Sequence, residues 1–282
     1  MPEYTVVKTL NNNVILVTDR QTSRELILIG KGIGFGKREG QAVSIPDEDI
    51  EKSFVAYNEK DRHAYYQLIN QVDSKVIGVS EEIIALAEQQ LGQLNSYIHI
   101  ALTDHITFTL DRIKKGLKIN NPFLFEIKAL YPEEFRVGQM AAEIISDRLN
   151  VEVSEAETGF IALHFHSARQ NKKAQESLQD ARLIKEMVQL IQDKLSITLE
   201  DNDLIYTRLL NHLRITIQRI NENKHVCNPL LASIRKQFKH SFAIAKLIGQ
   251  CIEKEKGVPV GADELGYLAL HIERIKEAYK TK

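Results

Sequence analysis

Four histidines of this chain recur at a fixed spacing. His105 and His164 lie 59 positions apart, as do His212 and His271, and each residue of the first pair lies 107 positions before its counterpart in the second. The imidazole ring can bind a metal, transfer a proton or accept a phosphoryl group on nitrogen. Two histidines in each copy of a repeat therefore predict a shared chemical role.

The first two chemistries lack the neighbours that they need. No carboxylate stands at helical ligand spacing from the repeated histidines in both copies, and His164 and His166 point to different sides of a helix because they are two positions apart. General acid–base catalysis needs an orienting partner that recurs, but the counterpart of Asp104 is Asn211. We expect no metal and no catalytic residue; a metal-dependent hydrolase is the alternative that metal analysis would test.

A phosphoryl acceptor makes fewer demands, because it needs only exposure and a neighbouring cation. Arg112 and Arg219 follow His105 and His212 by seven residues, which places them two turns further along the same helix face. They could hold an anion or could be ordinary surface arginines, and the sequence favours neither. A phosphate would add about −1.5 to −2 charges near neutral pH, which is enough to shift an equilibrium between protomers.

The register of 107 residues extends beyond the histidines. The matching segments are Arg112-Ile113 with Arg219-Ile220, Asn121-Pro122 with Asn228-Pro229, and Glu157–His164 with Glu264–His271. From Asp61 onward the apolar residues follow helical spacing, and Ser154 is predicted to cap the helix that carries His164. The pattern predicts two copies of one all-α domain, each a bundle of about five helices, joined by a polar linker at residues 170–177.

Residues 1 to about 57 have a β pattern instead. The predicted strands are Tyr4–Leu10, Val14–Val17, Glu25–Ile29, Gly40–Ile45 and Phe54–Tyr57. Asn11–Asn13 form a predicted turn, here called the asparagine turn, and Gly30–Arg38 form a connection here called the glycine loop. One small antiparallel sheet of this size is marginally stable alone, so we expect self-association.

Two kinds of ligand could bind the glycine loop. A nucleotide would need Gly-Lys-Ser/Thr at a helix start, or a long helix after the glycines, whereas Lys37 is followed by Arg38 and another extended segment. Nucleic acid fits better, because glycines permit close backbone approach, Phe35 offers a stacking face, and Lys31 can contact a phosphate. The alternatives are a nucleotide-dependent enzyme, or a plain hairpin turn beside a core Phe35.

Bulk composition sets broad limits. The 282 residues are 43% hydrophobic and 27% charged, which is typical of a globular chain of two or three domains. The net charge of −1 means that a nucleic-acid site must be local, and six basic residues against two acidic ones between Lys8 and Arg38 provide one. Cys227 and Cys251 occur in one copy only, which argues against a disulfide framework. Without a signal sequence or a long apolar run, a cytoplasmic protein with no membrane insertion is expected.

These motifs resemble those of the BglG/SacY family of bacterial transcriptional antiterminators, over the whole chain. The matching segments are Lys8–Val14, Ile29–Phe35, Leu102–Ile106, Gly159–His164, Leu210–Leu213 and Tyr267–His271. Gly36-Lys37 and His164–Ala168 resemble the glucose-type branch. The resemblance implies a multi-domain chain: a small antiparallel β-sheet RNA-binding (co-antiterminator) domain at 1–60, then two homologous all-α regulation domains of the phosphotransferase system (PTS) at 61–170 and 173–282.

The resemblance also implies a function and partners. A four-stranded N-terminal sheet would dimerise and bind a leader-RNA hairpin, so that transcription continues into sugar-uptake genes, of the glucose PTS or else of a β-glucoside or sucrose operon. The residues expected on RNA are Lys8, Asn11, Asn13, Gly30, Lys31 and Phe35. The residues expected to be phosphorylated, by a sugar-specific Enzyme II in the first regulation domain and by HPr in the second, are His105, His164, His212 and His271. The family implies no enzyme activity and no cofactor.

Overall fold

The structure, a computed structural model, describes residues 2–55, 61–200 and 204–280. The chain divides into two compact units. Unit 1 contains Met1–Asn121 and Glu133–Ala174, and unit 2 contains Pro122–Pro132 and Gln175–Lys282. Ala56 and Tyr57 of the last predicted strand, and the predicted domain boundary at residue 60, lie outside the described residues.

The N-terminal part of unit 1 is an antiparallel sheet. Its strands are β1 (Glu3–Thr9), β2 (Val14–Asp19), β3 (Glu25–Ile29), β4 (Ala42–Ser44) and β5 (Lys52–Val55), in the order β4-β1-β2-β3-β5. The four strands that the family resemblance implied are wrong, whereas the residue pattern predicted five extended segments. The fifth strand arises because the short β4 pairs with the start of β1 at one edge, where Tyr4 lies opposite Val43.

Both faces of this sheet are covered, which explains why β2 is a run of apolar residues and does not alternate. Val14 and Leu16 of β2 belong to one core cluster, and Ile15 and Val17 belong to another on the opposite face. The first cluster continues into the helices of unit 1 and includes Ile77. The burial that a small sheet lacks on its own is therefore supplied by helices of the same chain.

Eleven helices are present in the described residues. They are α1 (Arg62–Gln71), α2 (Ser74–Leu91), α3 (Ile98–Lys114), α4 (Leu124–Leu130), α5 (Pro132–Leu149), α6 (Glu155–Arg169), α7 (Ala174–Leu195), α8 (Leu204–Asn221), α9 (Leu231–Gln237), α10 (Lys239–Lys256) and α11 (Ala262–Lys280). The helices α2–α6 and α7–α11 correspond across the repeat, which agrees with the predicted bundle of about five helices per copy. Helix α1 precedes these five in the first copy. The predicted linker is shorter than expected because α7 already begins at Ala174. In the described parts of the chain, no helix combines the length and the apolar character that crossing a membrane requires.

Ser154 caps α6 as the sequence predicts, since its hydroxyl oxygen accepts a hydrogen bond from the backbone N–H of Glu157 at 3.3 Å. The Glu157 side chain does not return to the cap. It extends towards α3, where the hydroxyl of Thr109 donates to its carboxylate at 3.1 Å. The capping pattern therefore also places a carboxylate between α3 and α6.

Helix α4 belongs to the first repeat in sequence but to unit 2 in space. Phe125 of α4 stacks on Tyr206 of α8 with ring centroids 5.0 Å apart, and the hydroxyl of Tyr206 donates to the buried Glu126 at 3.1 Å. The equivalent helix α9 packs within its own repeat, against α10 and α11. Repeat and compact unit therefore differ over this segment, and the division at 61–170 and 173–282 stays a prediction.

Candidate functional site

The asparagine turn and the glycine loop are joined at one end of the sheet. The backbone N–H of Gly32 donates to the side-chain oxygen of Asn13 at 3.0 Å, and that of Gly34 donates to the carbonyl of Asn12 at 2.9 Å. The side-chain oxygen of Asn11 accepts from the backbone of Asn13 at 2.7 Å. These asparagines therefore hold the shape of both connections.

Two glycines of this loop have a packing reason. A Cβ atom on Gly30 would lie 1.9 Å from the carbonyl oxygen of Asp49, and one on Gly34 would lie 2.2 Å from that of Asn11. Only glycine permits these backbone approaches. Packing thus accounts for Gly30 without RNA, and its predicted RNA contact stays a prediction.

Phe35 and Lys31 stand on the outer side of the glycine loop. Phe35 is 75% exposed, so the alternative that it is a core residue is wrong. Lys31 is exposed as well. An exposed aromatic ring and an exposed ammonium group on one loop are the side chains that can stack on a base and contact a phosphate.

Three other predicted RNA residues face the helices of unit 1. The Lys8 ammonium donates to the carbonyl of Ile69 near the end of α1 at 2.6 Å. The side-chain amides of Asn11 and Asn13 donate to the carboxylate of Glu82 on α2, at 2.9 Å and 3.4 Å. The six predicted residues therefore do not form one open surface. Glu82 was not among the predicted site residues, because a glutamate within a helical pattern gives no indication of its binding partner.

The first histidine pair connects α3 and α6. The ring centroids of His105 and His164 are 4.9 Å apart. Burial and the neighbouring His105 lower the pKa of His164 to about 3, so this imidazole is neutral at physiological pH. The Nε2 atom of His105 lies 3.5 Å from the Glu157 carboxylate. The first pair therefore sits beside a negative charge.

The second pair connects α8 and α11 and is closer. The rings of His212 and His271 stack with centroids 3.4 Å apart. Burial, the neighbouring His212 and the Arg274 guanidinium lower the pKa of His271 to about 4. Burial, Arg274 and Arg219 also lower the pKa of His212. Both rings line a cavity of about 260 Å³ together with Arg208 and Arg274.

Arg112 and Arg219 each form an ion pair with a buried glutamate and are only partly exposed, and a role of either arginine in holding an anion stays a prediction. Arg112 pairs with the buried Glu157 at 2.7 Å, and Arg219 pairs with the buried Glu264 at 2.5 Å and 2.8 Å. Each pair joins the two helices that carry the histidines. Glu157 and Glu264 recur at the same offset of 107 as the histidines. The repeat could therefore have identified them as site residues, although Glu157 was interpreted only as part of a helix cap.

The two copies differ in charge around the histidines. The positions equivalent to Arg208 and Arg274 are Ala101 and Ser167 in the first copy. The second pair therefore has two additional cations, whereas the first has the Glu157 carboxylate close to His105. The offset of 107 residues also predicts the difference in residue type at these positions. Only the structure shows that Arg208 and Arg274 line the same cavity.

Metal binding has no arrangement to support it in the described part of the chain. No group of three or more His, Cys, Asp or Glu side chains is placed there to hold an ion. The paired histidines have each other, an arginine or a glutamate as neighbours.

Comparison with known families covers most of the chain. A CAT RNA binding domain model matches residues 4–63, and a PRD domain model matches residues 81–168 and 185–275. The two ranges matched by the PRD model correspond to the two helical copies.

Similar proteins and structures agree with these matches. The transcription antiterminator LicT of Bacillus subtilis is 34% identical over 96% of this chain and 98% of its own length, and protein GlcT of Staphylococcus aureus is 32% identical over 98% of each. A crystal structure titled GlcT CAT-PRDI is 40% identical and covers 59% of this chain and 98% of that one, with a TM-score of 0.50. The chain therefore belongs to the BglG/SacY family of transcription antiterminators, which combine a CAT RNA-binding domain with PRD domains.

Proposed function

We propose that this protein binds an RNA hairpin in a leader transcript and thereby keeps transcription going into sugar-uptake genes, those of the glucose PTS. The observation that carries the RNA site is the exposure of both Phe35 and Lys31 on one loop, whose shape is held by the asparagine turn. Similarity to GlcT supports glucose as the sugar. Lys8, Asn11, Asn13 and Gly30 complete the proposed interface.

We infer that phosphorylation of the paired histidines controls this activity. Neutral imidazoles such as His164 and His271 have a free nitrogen lone pair that can take a phosphoryl group. The electrostatic consequence differs between the copies. A phosphate on His105 would repel the Glu157 carboxylate, whereas a phosphate on His212 or His271 would be attracted by Arg274.

The remaining parts of the proposal follow from this assignment. The phosphoryl donors would be a sugar-specific Enzyme II for the first copy and HPr for the second, in the cytoplasm where the transcript is made. The active form would be a homodimer. The domains would be residues 1–60, 61–170 and 173–282, as the family matches support.

The RNA site is tested by gel shift with the full chain and leader hairpins from upstream of sugar-transport genes. Phe35→Ala should weaken binding about fivefold or more, because base stacking on an aromatic side chain contributes about 1–3 kcal/mol. The exposed Leu117 provides a matched control, and Leu117→Ala should leave the dissociation constant unchanged. Equal binding by wild type and Phe35→Ala would remove Phe35 from the interface. The RNA proposal would end if no hairpin were bound by wild type or by any folded variant of the chain.

Phe35 is a cleaner position for this test than the asparagine turn. The side-chain oxygen of Asn13 holds the backbone of Gly32, so Asn13→Ala would disturb the loop as well as any RNA contact. A loss of binding in that variant could not be assigned to the amide alone.

A further inference from the structure

The residues proposed to read RNA are already engaged within unit 1. Asn11 and Asn13 donate their amides to Glu82 of α2, and the Lys8 ammonium binds a carbonyl in the last turn of α1. A carboxylate offers these amides the same kind of acceptor that a base edge or a phosphate offers. The helices thus satisfy the same donors that RNA would use.

Helix α2 is shaped to receive the asparagine turn. Gly78 lies buried in the second turn of α2, four residues before Glu82. A Cβ atom on Gly78 would lie 2.4 Å from the amide nitrogen of Asn11 and 2.8 Å from its Cγ. Glycine is unfavourable inside a helix, and this contact is a reason for its presence. The fit also leaves no space for a base between Asn11 and α2.

The other contacts strengthen this arrangement. The carbonyl of Ile69 lies in the C-terminal turn of α1, where helix carbonyls lack partners and favour a cation such as Lys8. Arg148 of α5 also pairs with Glu82 at 3.4 Å and holds the carboxylate from its other side. Behind the polar contacts, Leu10 and Ile77 share one apolar core.

This receiving surface belongs to the first copy only. The positions equivalent to Gly78 and Glu82 in the second copy are Lys185 and Gln189. A lysine side chain would occupy the space that Gly78 leaves for Asn11, and a glutamine side chain lacks the negative charge of Glu82. The surface is therefore not a general feature of the repeated bundle.

We propose that Gly78 and Glu82 form an internal binding site for the asparagine turn, here called the α2 dock, and that this site competes with the RNA hairpin. The inference rests on the proposed RNA function. When the turn occupies the α2 dock, the amides of Asn11 and Asn13 are withheld from RNA. The apparent affinity for RNA then falls in proportion to the closed fraction.

The test compares RNA affinities of full-length variants that open the α2 dock. Gly78→Ala places a methyl group where the Asn11 amide sits, and it keeps α2 intact because alanine is the better helix former. Glu82→Ala removes the acceptor of both amides. The control Glu143→Ala makes the same change at an exposed position of α5. The probe is the panel of leader hairpins used for Phe35→Ala, with folding of each variant checked by circular dichroism.

Both dock variants should bind a hairpin about tenfold more tightly than wild type, while Glu143→Ala should bind as wild type does. Binding by Gly78→Ala and Glu82→Ala when wild type binds nothing detectable would support the same conclusion. Equal or weaker binding by the folded dock variants, with wild type binding, would overturn the α2 dock and leave the RNA function standing. If none of the four proteins binds any hairpin, the RNA function fails and the competition fails with it.

Discussion

At the scale of single residues, His164 shows how position changes the chemistry of a side chain. Its ring lies 4.9 Å from that of His105, and burial together with this neighbour lowers its pKa to about 3 from the usual value of about 6.5. The neutral form is therefore the one that the folded protein stabilises. A neutral imidazole is also the form that can accept a phosphoryl group.

This pKa predicts how stability depends on pH. Because the folded-state pKa of His164 is depressed, the unfolded chain binds a proton below about pH 6.5 that the folded chain does not bind until about pH 3. Stability should therefore decrease as the pH falls through this window. Urea unfolding at pH 7.5 and pH 5 should show that wild type loses up to about 2 kcal/mol more than His164→Asn.

The control for this comparison is His63→Asn, which changes an exposed histidine outside the pairs and should keep the wild-type pH dependence. Other groups with shifted pKa values, such as the buried His99 beside Glu81, are common to all three proteins and cancel in the difference. An identical loss in wild type and His164→Asn would show that His164 titrates normally in the folded protein.

At the scale of elements, one glutamate in each copy joins the two histidine-bearing helices. Glu157 binds Arg112 and Thr109 between α3 and α6, and Glu264 binds Arg219 between α8 and α11. The carboxylates are buried, whereas the guanidinium groups are only partly buried. Each pair therefore links the two helices that carry the histidine rings of its copy.

Removing the charge from either glutamate should destabilise its bundle. Glu157→Gln and Glu264→Gln are each expected to lower the free energy of unfolding by about 1–2 kcal/mol, because charge-assisted hydrogen bonds are lost while the partly exposed arginine keeps some hydration. Urea unfolding followed by circular dichroism measures this. Glu152→Gln, at an exposed position before α6, is the matched control. No effect in Glu157→Gln or Glu264→Gln would show that the pair contributes little.

At the scale of the whole molecule, the first histidine pair and the RNA-binding sheet belong to the same compact unit. Unit 1 contains the sheet, the α2 dock and the first histidine pair in one compact body. A negative charge on His105 would face Glu157, 3.5 Å away, and would disturb the contact between α3 and α6. The charge change is therefore made in the body that also holds the asparagine turn.

The corresponding prediction is that His105→Asp lowers antitermination. In a reporter gene placed behind the leader terminator, we expect a decrease of about fivefold or more, in line with the usual size of coupling between two sites. His63→Asp introduces the same residue at an exposed position and should leave the reporter unchanged. Aspartate carries less charge than phosphohistidine, so the decrease is a lower limit. Constitutive antitermination by His105→Asp would show that a negative charge at this position activates the protein and does not inactivate it.

Features that depend on local pattern were predictable from the sequence alone. The offset of 107 residues revealed two helical copies, the apolar spacing separated sheet from helices, and Ser154 was identified as a cap. The histidine pairs and the family resemblance followed from residue identity and spacing. Such signals are readable because burial along a single element repeats with the period of its backbone.

Contacts between distant elements were decided only by the tertiary structure. The sequence did not show that Asn11 meets Gly78 and Glu82, or that α4 belongs to unit 2. It also left the role of Arg112 open until its buried partner Glu157 was located. The local pattern around these residues does not predict such contacts, because the partners are far apart in sequence. They are brought together by the packing of whole helices against the sheet and against each other.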